Sequence, residues 1–292
     1  MSYCFFCSNY SIIGLYIERY ETRGRWSISP MNTEIIPFVS GTTSLNVAST
    51  LNKIINGDCL EVMRALPDKS VDLIVTSPPY NLLNSTGNGL KKNTNCGKWK
   101  NAAIKDGYKD YDDNMPYPEY VAWQQACVAE MFRLIKDDGA IFYNNKNRVQ
   151  AGLLQDRREI VKDFPVRQII TWKRSGSINF NQGYFLPTTE QIYLICNKAF
   201  KLRKGANKLT DVWEIKQEMH NPHPAPFPEE LVDRIVTSTD GTIVLDPFGG
   251  SGTTAISALK DGKSFILIEK SPSYCAIAKK RISGMQNWRD AL

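Results

Sequence analysis

The sequence predicts an α/β domain built on a mostly parallel sheet, and three observations carry that reading. From Asn52 onward, short apolar runs alternate with segments of helical periodicity, as strands and their crossover helices do. A glycine-rich turn, Asp246 to Thr254, leads straight from one apolar run into a helical segment. The chain has 292 residues, 42% of them hydrophobic, which is enough to bury a core of that size.

Taken in order, Lys53 to Asn56 reads as a strand, Leu60 to Leu66 as a helix and Val71 to Thr76 as a second, buried strand. A long polar loop follows, then a helix from Tyr117 to Lys136 with Val121, Ala129, Phe132 and Leu134 near helical spacing. Ala140 to Tyr143, Val166 to Trp172 and Gln191 to Cys196 are further strands, the last two close enough in sequence to pair. A helix begins near Pro228, with Glu229 and Glu230 in the first turn where the helix dipole favours acids. Strand Thr242 to Leu245, helix Thr253 to Lys260 ended by Gly262, strand Ser264 to Ile268 and helix Pro272 to Ile282 capped by Ser271 complete the pattern. Residues 1–45 lack sustained periodicity and are expected to stand outside the fold, as a poorly ordered extension or a mis-assigned start with Met31 as a working start. Residues 46–292 are expected to form the domain.

Composition narrows the function classes. A charged fraction of 23% and an aromatic fraction of 11% exclude a wholly disordered chain. Lys+Arg of 36 against Asp+Glu of 30 gives a net charge of +6, which permits a nucleic-acid partner without identifying one. Seven scattered cysteines suit reduced thiols in a cytoplasmic protein. Cys4 and Cys7 form a C-x-x-C with no second pair, and His220 and His223 lie far off beside prolines, so no metal site is expected. No run approaches the ~20 apolar residues of a membrane span, and Ser11 to Tyr16 is too short for a signal-peptide core.

Two segments carry chemistry. Asp246-Pro247-Phe248-Gly249-Gly250-Ser251-Gly252-Thr253-Thr254 sits where a buried strand turns into a helix, so its glycines let backbone approach a ligand and the helix start offers N–H groups. No Gly-Lys-Ser/Thr follows, which argues against a Walker-type phosphate loop. Glu269, at the end of the next strand, is placed to bind a ribose hydroxyl pair. These residues leave NAD, FAD and S-adenosylmethionine open. The second segment, Thr76-Ser77-Pro78-Pro79-Tyr80-Asn81, follows strand Val71 to Val75; its prolines fix the backbone and hold carbonyl acceptors stiffly at the carboxyl end of a strand.

Together the two segments resemble the DNA methylase N-4/N-6 family, the S-adenosylmethionine-dependent amino-methyltransferases, over roughly Asn52 to Ile282. Asn56-Gly57-Asp58-Cys59, Ser77-Pro78-Pro79-Tyr80, Asp137-Asp138-Gly139, Trp172-Lys173, His223 to Pro228 and Asp246 to Thr253 fall in the order of its β group, in which the catalytic motif precedes the cofactor motif. The resemblance implies a permuted Rossmann-like methyltransferase fold, with a mostly parallel seven-stranded sheet and helices on both faces. It implies S-adenosylmethionine as cofactor, with Asp246, Phe248, Gly250, Ser251 and Gly252 shaping its pocket. Glu269 would hold the ribose, and Asp58 with the Cys59 backbone would meet the adenine edge. His223 to Pro228 would line the methionine end, with Phe227 standing where the family often has lysine. It further implies double-stranded DNA as partner, with a companion restriction endonuclease, a homodimer and association with the nucleoid as extensions of that reading.

An exocyclic amino group is a poor nucleophile because its lone pair is delocalised into the ring. The Ser77 hydroxyl and the Pro78 carbonyl can each accept one amino hydrogen for in-line attack on the sulfonium methyl, with Pro79 stiffening the turn and Tyr80 stacking on a flipped base. Methylation at cytosine carbon 5 would need a cysteine in a Pro-Cys context, and none of the cysteines follows a proline. In the family, serine at position 77 points to N4 of cytosine, with N6 of adenine as the alternative. A non-catalytic nucleic-acid-binding module of the same fold is the rival of a different class, and a dehydrogenase is disfavoured because Ser-Pro-Pro-Tyr has no place in hydride transfer. DNA contact is expected from the loop at about 81–116, with Lys91, Lys92, Lys98, Lys100, Lys105, Lys109, Trp99 and Tyr108, and from 199–219, with Lys201, Arg203, Lys204 and Lys208.

Overall fold

The computed structural model describes residues 33–81, 114–150, 152–175, 182–218 and 227–290, the backbone alone for 286–290. In chain order the elements are β1 (Ile35–Pro37), α1 (Val47–Thr50), β2 (Lys53–Asn56), α2 (Cys59–Ala65), β3 (Val71–Thr76), α3 (Tyr117–Leu134), β4 (Ile135–Asn145), β5 (Arg148–Gln150), β6 (Leu153–Gln155), α4 (Arg158–Val161), β7 (Val166–Lys173), β8 (Thr189–Cys196), β9 (Val212–Glu214), α5 (Glu229–Thr237), β10 (Ile243–Asp246), α6 (Thr253–Lys260), β11 (Ser264–Glu269) and α7 (Pro272–Asp290).

Among the described residues the main sheet has nine strands in the order β1-β2-β11-β10-β3-β4-β8-β7-β9. All neighbours pair in parallel except around β8, which runs antiparallel to both β4 and β7. The expected seven strands are thus exceeded, by short edge strands at the two margins. One of these, Ile35–Pro37, pairs with Ile54, Ile55 and Asn56 of β2. The sheet therefore takes in part of the 1–45 segment expected to stand outside it, because three residues ending in proline carry no periodicity for a sequence reading to find. Residues 1–32 lie outside the described residues.

The helices form where their apolar residues share a face. In α3, Tyr120, Val121, Gln124, Cys127, Val128, Met131 and Leu134 are buried at the i, i+3, i+4, i+7 spacing of one stripe. The apolar ones pack with Ile74, Ile141, Tyr143 and Ile195 of the sheet, Met63 of α2 and Leu66 just after it. Each large apolar side chain buried this way contributes roughly 1.5–3 kcal/mol. Asp58 starts α2 by accepting the backbone N–H of Leu60 at 3.0 Å. The helix expected to run to Lys136 stops at Leu134, because Ile135 is already paired with Val71 in the sheet.

β3 and β10 lie side by side, with Val244 opposite Leu73, though they are far apart in the chain. From this pair the strand order runs outward through β11, β2 and β1 on one side and through β4, β8, β7 and β9 on the other. The carboxyl ends of β3 and β10 therefore mark the switch point of the sheet, where open α/β sheets bind ligands.

Candidate active site

At the switch point Asp246 closes β10 with its carboxylate buried. It accepts the Thr76 hydroxyl at 2.7 Å and the Phe248 N–H at 3.0 Å on one oxygen, and the Thr254 hydroxyl at 2.7 Å on the other. Burial pushes its carboxyl above the usual value against those three bonds. Through these bonds Asp246, expected among the cofactor contacts, braces the end of β3 against the glycine turn and the start of α6.

The turn after Asp246 has the left-handed backbone that glycine permits, with φ of +49° at Gly250 and +83° at Gly252. A Cβ on Gly249 would fall 2.3 Å from the Leu267 side chain, so this glycine is required by packing against β11. The Gly250 N–H donates to Glu269 at 2.8 Å, and the other oxygen of Glu269 accepts the Ser271 N–H at 2.8 Å. Ser251 is buried, and Arg281 from α7 donates to its hydroxyl at 2.8 Å and to its carbonyl at 2.6 Å. Like Asp246, Ser251 shapes the turn from behind. Phe248 and Glu269 remain partly exposed at the crevice.

Asp58 faces the same rim. The Gly57 N–H donates to the Glu269 carbonyl at 3.2 Å, and Lys270 lies 3.5 Å from the Asp58 carboxylate. Cys59 is buried with its sulfur 4.0 Å from that of Cys127, which leaves its side chain facing the core. The segments at positions 58, 248–252 and 269, expected to meet the cofactor, thus converge from three separate stretches. The His223 to Pro226 part of the expected methionine-end segment lies outside the described residues; Phe227 is partly exposed.

Ser77, Pro78, Pro79 and Tyr80 leave β3 directly beside this rim, and the turn is held from several sides. Tyr120 of α3 donates its hydroxyl to the Pro79 carbonyl at 2.9 Å. Arg157 donates to the Tyr80 carbonyl at 3.3 Å while its guanidinium lies 4.6 Å from the Tyr120 ring centre and 5.2 Å from that of Tyr117. Arg148 donates to the Asn81 carbonyl at 2.5 Å, and the Asn81 side chain exchanges two bonds with the backbone of Met115. Trp123 links the two halves, packing edge-on to Phe248 at 5.8 Å and against Tyr120 at 6.2 Å.

Sequence reasoning missed the polar floor beneath this turn. The hydroxyls of Ser77 and Tyr80 are 2.7 Å apart, Tyr80 donates to Glu190 of β8 at 3.0 Å, and Asn144 of β4 reaches all three groups. Arg174 lies 3.4 Å from the second oxygen of Glu190, both side chains buried. Lys146, just past β4, has its ammonium pKa lowered by burial and then by Arg174. Asn144 and Glu190, polar residues beside the apolar runs Ala140 to Tyr143 and Ile192 to Cys196, are the available signal, since buried polar groups in a core need partners.

Of the two expected DNA segments, positions 82–113 lie outside the described residues. In the other, Arg203 pairs with Asp240 at 2.7 Å and Asp261 at 2.9 Å, and its N–H donates to the Ser238 carbonyl. Those partners precede β10 and β11, so Arg203 sits at the end of the sheet opposite Ser77, whereas β9 returns residues 212–214 to the side of Thr171, Trp172 and Lys173 at the carboxyl end of β7. The reason is topological: β8 runs antiparallel to β4 and delivers the chain to that far end, where Cys196 pairs with Ala140.

An open sheet with a glycine turn and a carboxylate at its switch point defines a nucleotide-cofactor-binding α/β protein. Residues 71–280 match the N6/N4 DNA methylase family, and the chain belongs to that family. It is 31% identical over 276 residues to the type II methyltransferase M.BglII of Bacillus subtilis, covering 80% of this chain and 69% of the relative. Similarity to the type II methyltransferase M.HinfI of Haemophilus influenzae is 26% over 263 residues, with 81% and 70% covered. Among solved structures, the cytosine-N4-specific PvuII DNA methyltransferase shares the fold with a TM-score of 0.60 at 18% identity, covering 80% of this chain and 90% of that one. A DNA modification methylase of Thermus thermophilus, solved with S-adenosyl-L-methionine, superposes with a TM-score of 0.56 at 22% identity, with 80% and 93% covered. No described helix is long and apolar enough to cross a membrane.

Proposed function

We propose that this DNA methylase transfers a methyl group from S-adenosylmethionine to the exocyclic amino group of a base flipped out of double-stranded DNA, N4 of cytosine in preference to N6 of adenine. The observation that carries the reading is the direct tie, through Thr76 and Asp246, between the Ser77–Tyr80 turn and the glycine turn. The residues present fit the cofactor. Glu269 is a partly exposed carboxylate with acceptor capacity for a ribose diol, the left-handed glycines leave room for close approach, and Phe248 offers an apolar wall. When bound, S-adenosylmethionine supplies an electrophilic methyl on sulfur.

The chain's own residues orient the acceptor. The Ser77 oxygen and the Pro78 carbonyl each take one amino hydrogen, which draws electron density onto nitrogen, and the rigid turn holds that nitrogen on the methyl's line of approach. Tyr80 stacks on the extruded base, since an amino nitrogen inside a stacked duplex is out of reach. The cytosine assignment rests on serine at position 77. The type II relatives are the reason to include a companion restriction endonuclease in the same proposal.

DNA incubated with the protein and cofactor, then digested to nucleosides, reports the base. N4-methylcytosine is expected. N6-methyladenine alone would overturn the base assignment, and an unmethylated digest would overturn the transfer itself.

A further inference from the structure

Glu190 has no assigned part in methyl transfer, yet it is a buried carboxylate one side chain removed from Ser77. We infer that Glu190 is a positioning residue that fixes the direction of the hydroxyl hydrogen bonds beneath the catalytic turn, so that Ser77 presents a lone pair to the target amino group. The inference rests on the amino-transfer reading above and goes beyond it by naming what makes Ser77 an acceptor.

An ionised carboxylate can only accept. Tyr80, 3.0 Å from Glu190, therefore commits its single hydroxyl hydrogen there and has none to give to Ser77. At 2.7 Å from Tyr80, the Ser77 hydroxyl must then be the donor of that pair. With its hydrogen directed to Tyr80, the Ser77 oxygen faces the crevice with electron pairs only, as an incoming N–H requires.

Asn144 reinforces the order. Its amide nitrogen lies 2.9 Å from Glu190, 2.7 Å from the Tyr80 hydroxyl and 3.3 Å from the Ser77 hydroxyl. The opposite amide orientation would set its oxygen against the Glu190 carboxylate, so the geometry admits only the donor facing this cluster. Arg174, at 3.4 Å from the far oxygen, supplies the opposite charge that a carboxylate at 4% exposure needs.

A glutamine at position 190 could donate to Tyr80, which would let Tyr80 donate to Ser77 and turn the serine hydrogen outward against the amino group. The test measures S-adenosylmethionine affinity, DNA affinity and kcat for wild type, Glu190→Gln, Ser77→Ala and the double variant. Expected are affinities within about twofold of wild type and a kcat about 10²-fold lower in Glu190→Gln, with less than about threefold further loss when the same change is made in Ser77→Ala. A wild-type kcat in Glu190→Gln, or an equal loss in both backgrounds, overturns the inference. If wild type itself methylates no DNA, the amino-transfer reading fails and takes the inference with it. Should Glu190→Gln not fold, because Arg174 is left buried and uncompensated, the same cycle is run with Glu190→Gln/Arg174→Met against Ser77→Ala, and the same coupling decides.

Discussion

The Thr76 hydroxyl donates to the Asp246 carboxylate at 2.7 Å, across two adjacent strands whose residues stand 170 positions apart in the chain. Thr76 is the last residue before the Ser77–Tyr80 turn and Asp246 the last of β10 before the glycine turn, so one hydrogen bond ties together the turn proposed to orient the methyl acceptor and the loop proposed to hold the methyl donor. Permuting the chain separates these segments in sequence while leaving the packed contact between them intact.

Thr76→Val keeps the shape of the side chain and removes that donor. The buried carboxylate then loses one of its three partners, which costs about 1–3 kcal/mol. Urea unfolding should register that loss, and S-adenosylmethionine affinity should fall with it. Unaltered stability would mean that Asp246 does not depend on this bond.

Gly252 has φ of +83°, and a Cβ there would sit 3.0 Å from the Cβ of Ala278 in α7. Gly252→Ala combines a left-handed backbone penalty of about 1–2 kcal/mol with displacement of the helix that braces Ser251. The expected outcome is a lower Tm and weaker cofactor binding together, whereas Gly262→Ala, with φ of +72° and open space around it, should lower Tm and leave cofactor affinity unchanged.

Lys263 bears on pH. Its ammonium is buried against the carbonyls of Val236 and Thr239 with Asp261 at 3.3 Å, and burial lowers its pKa from 10.5 to about 8. Below about 8 the lysine is charged both folded and unfolded, and the full cost of burying that charge weighs on the folded state. Between about 8 and 10.5 the folded protein binds fewer protons than the unfolded chain, so this residue's contribution rises with pH. Relative to Lys263→Met, wild type should gain on the order of 1–3 kcal/mol of unfolding free energy between about pH 7.5 and 10. A parallel pH dependence in the two proteins would contradict the shift.

Replacing Lys91, Lys92, Lys98 and Lys100 together should weaken DNA binding and flatten its dependence on salt, while cofactor affinity stays the same. For every phosphate that these lysines neutralise in the wild type, the slope of log affinity against log salt should shrink by about 0.9 in the variant. Unchanged DNA affinity would remove this segment from the interface.

The elements legible in sequence are those whose pattern is strong and local. Lys53–Asn56, Val71–Thr76 and Thr253–Lys260 can be read to the residue, because a buried strand is a continuous apolar run and a helix start after Gly252 is marked by the glycine itself. β1 and β9 cannot, since three residues hold no period. Ile135 and Lys136 read as the end of a helix, with the next strand beginning only at Ala140, yet Ile135 to Gly139 is the first part of β4, paired through Ile135 with Val71.

For the site, motif order in the chain is sufficient to predict the family, the fold class and the segments at 58, 77–80, 248–252 and 269, because each needs a particular residue type at a particular bend of backbone. Tertiary structure alone shows what the side chains of those segments touch. It makes Asp246 and Ser251 braces, puts Arg203 at the far end of the sheet, and brings Asn144, Arg174 and Glu190 beneath Ser77 and Tyr80. The physical reason is that a hydrogen-bond partner is chosen by distance in space, and strands β3, β4 and β8, which supply those partners, become neighbours only when the sheet is assembled.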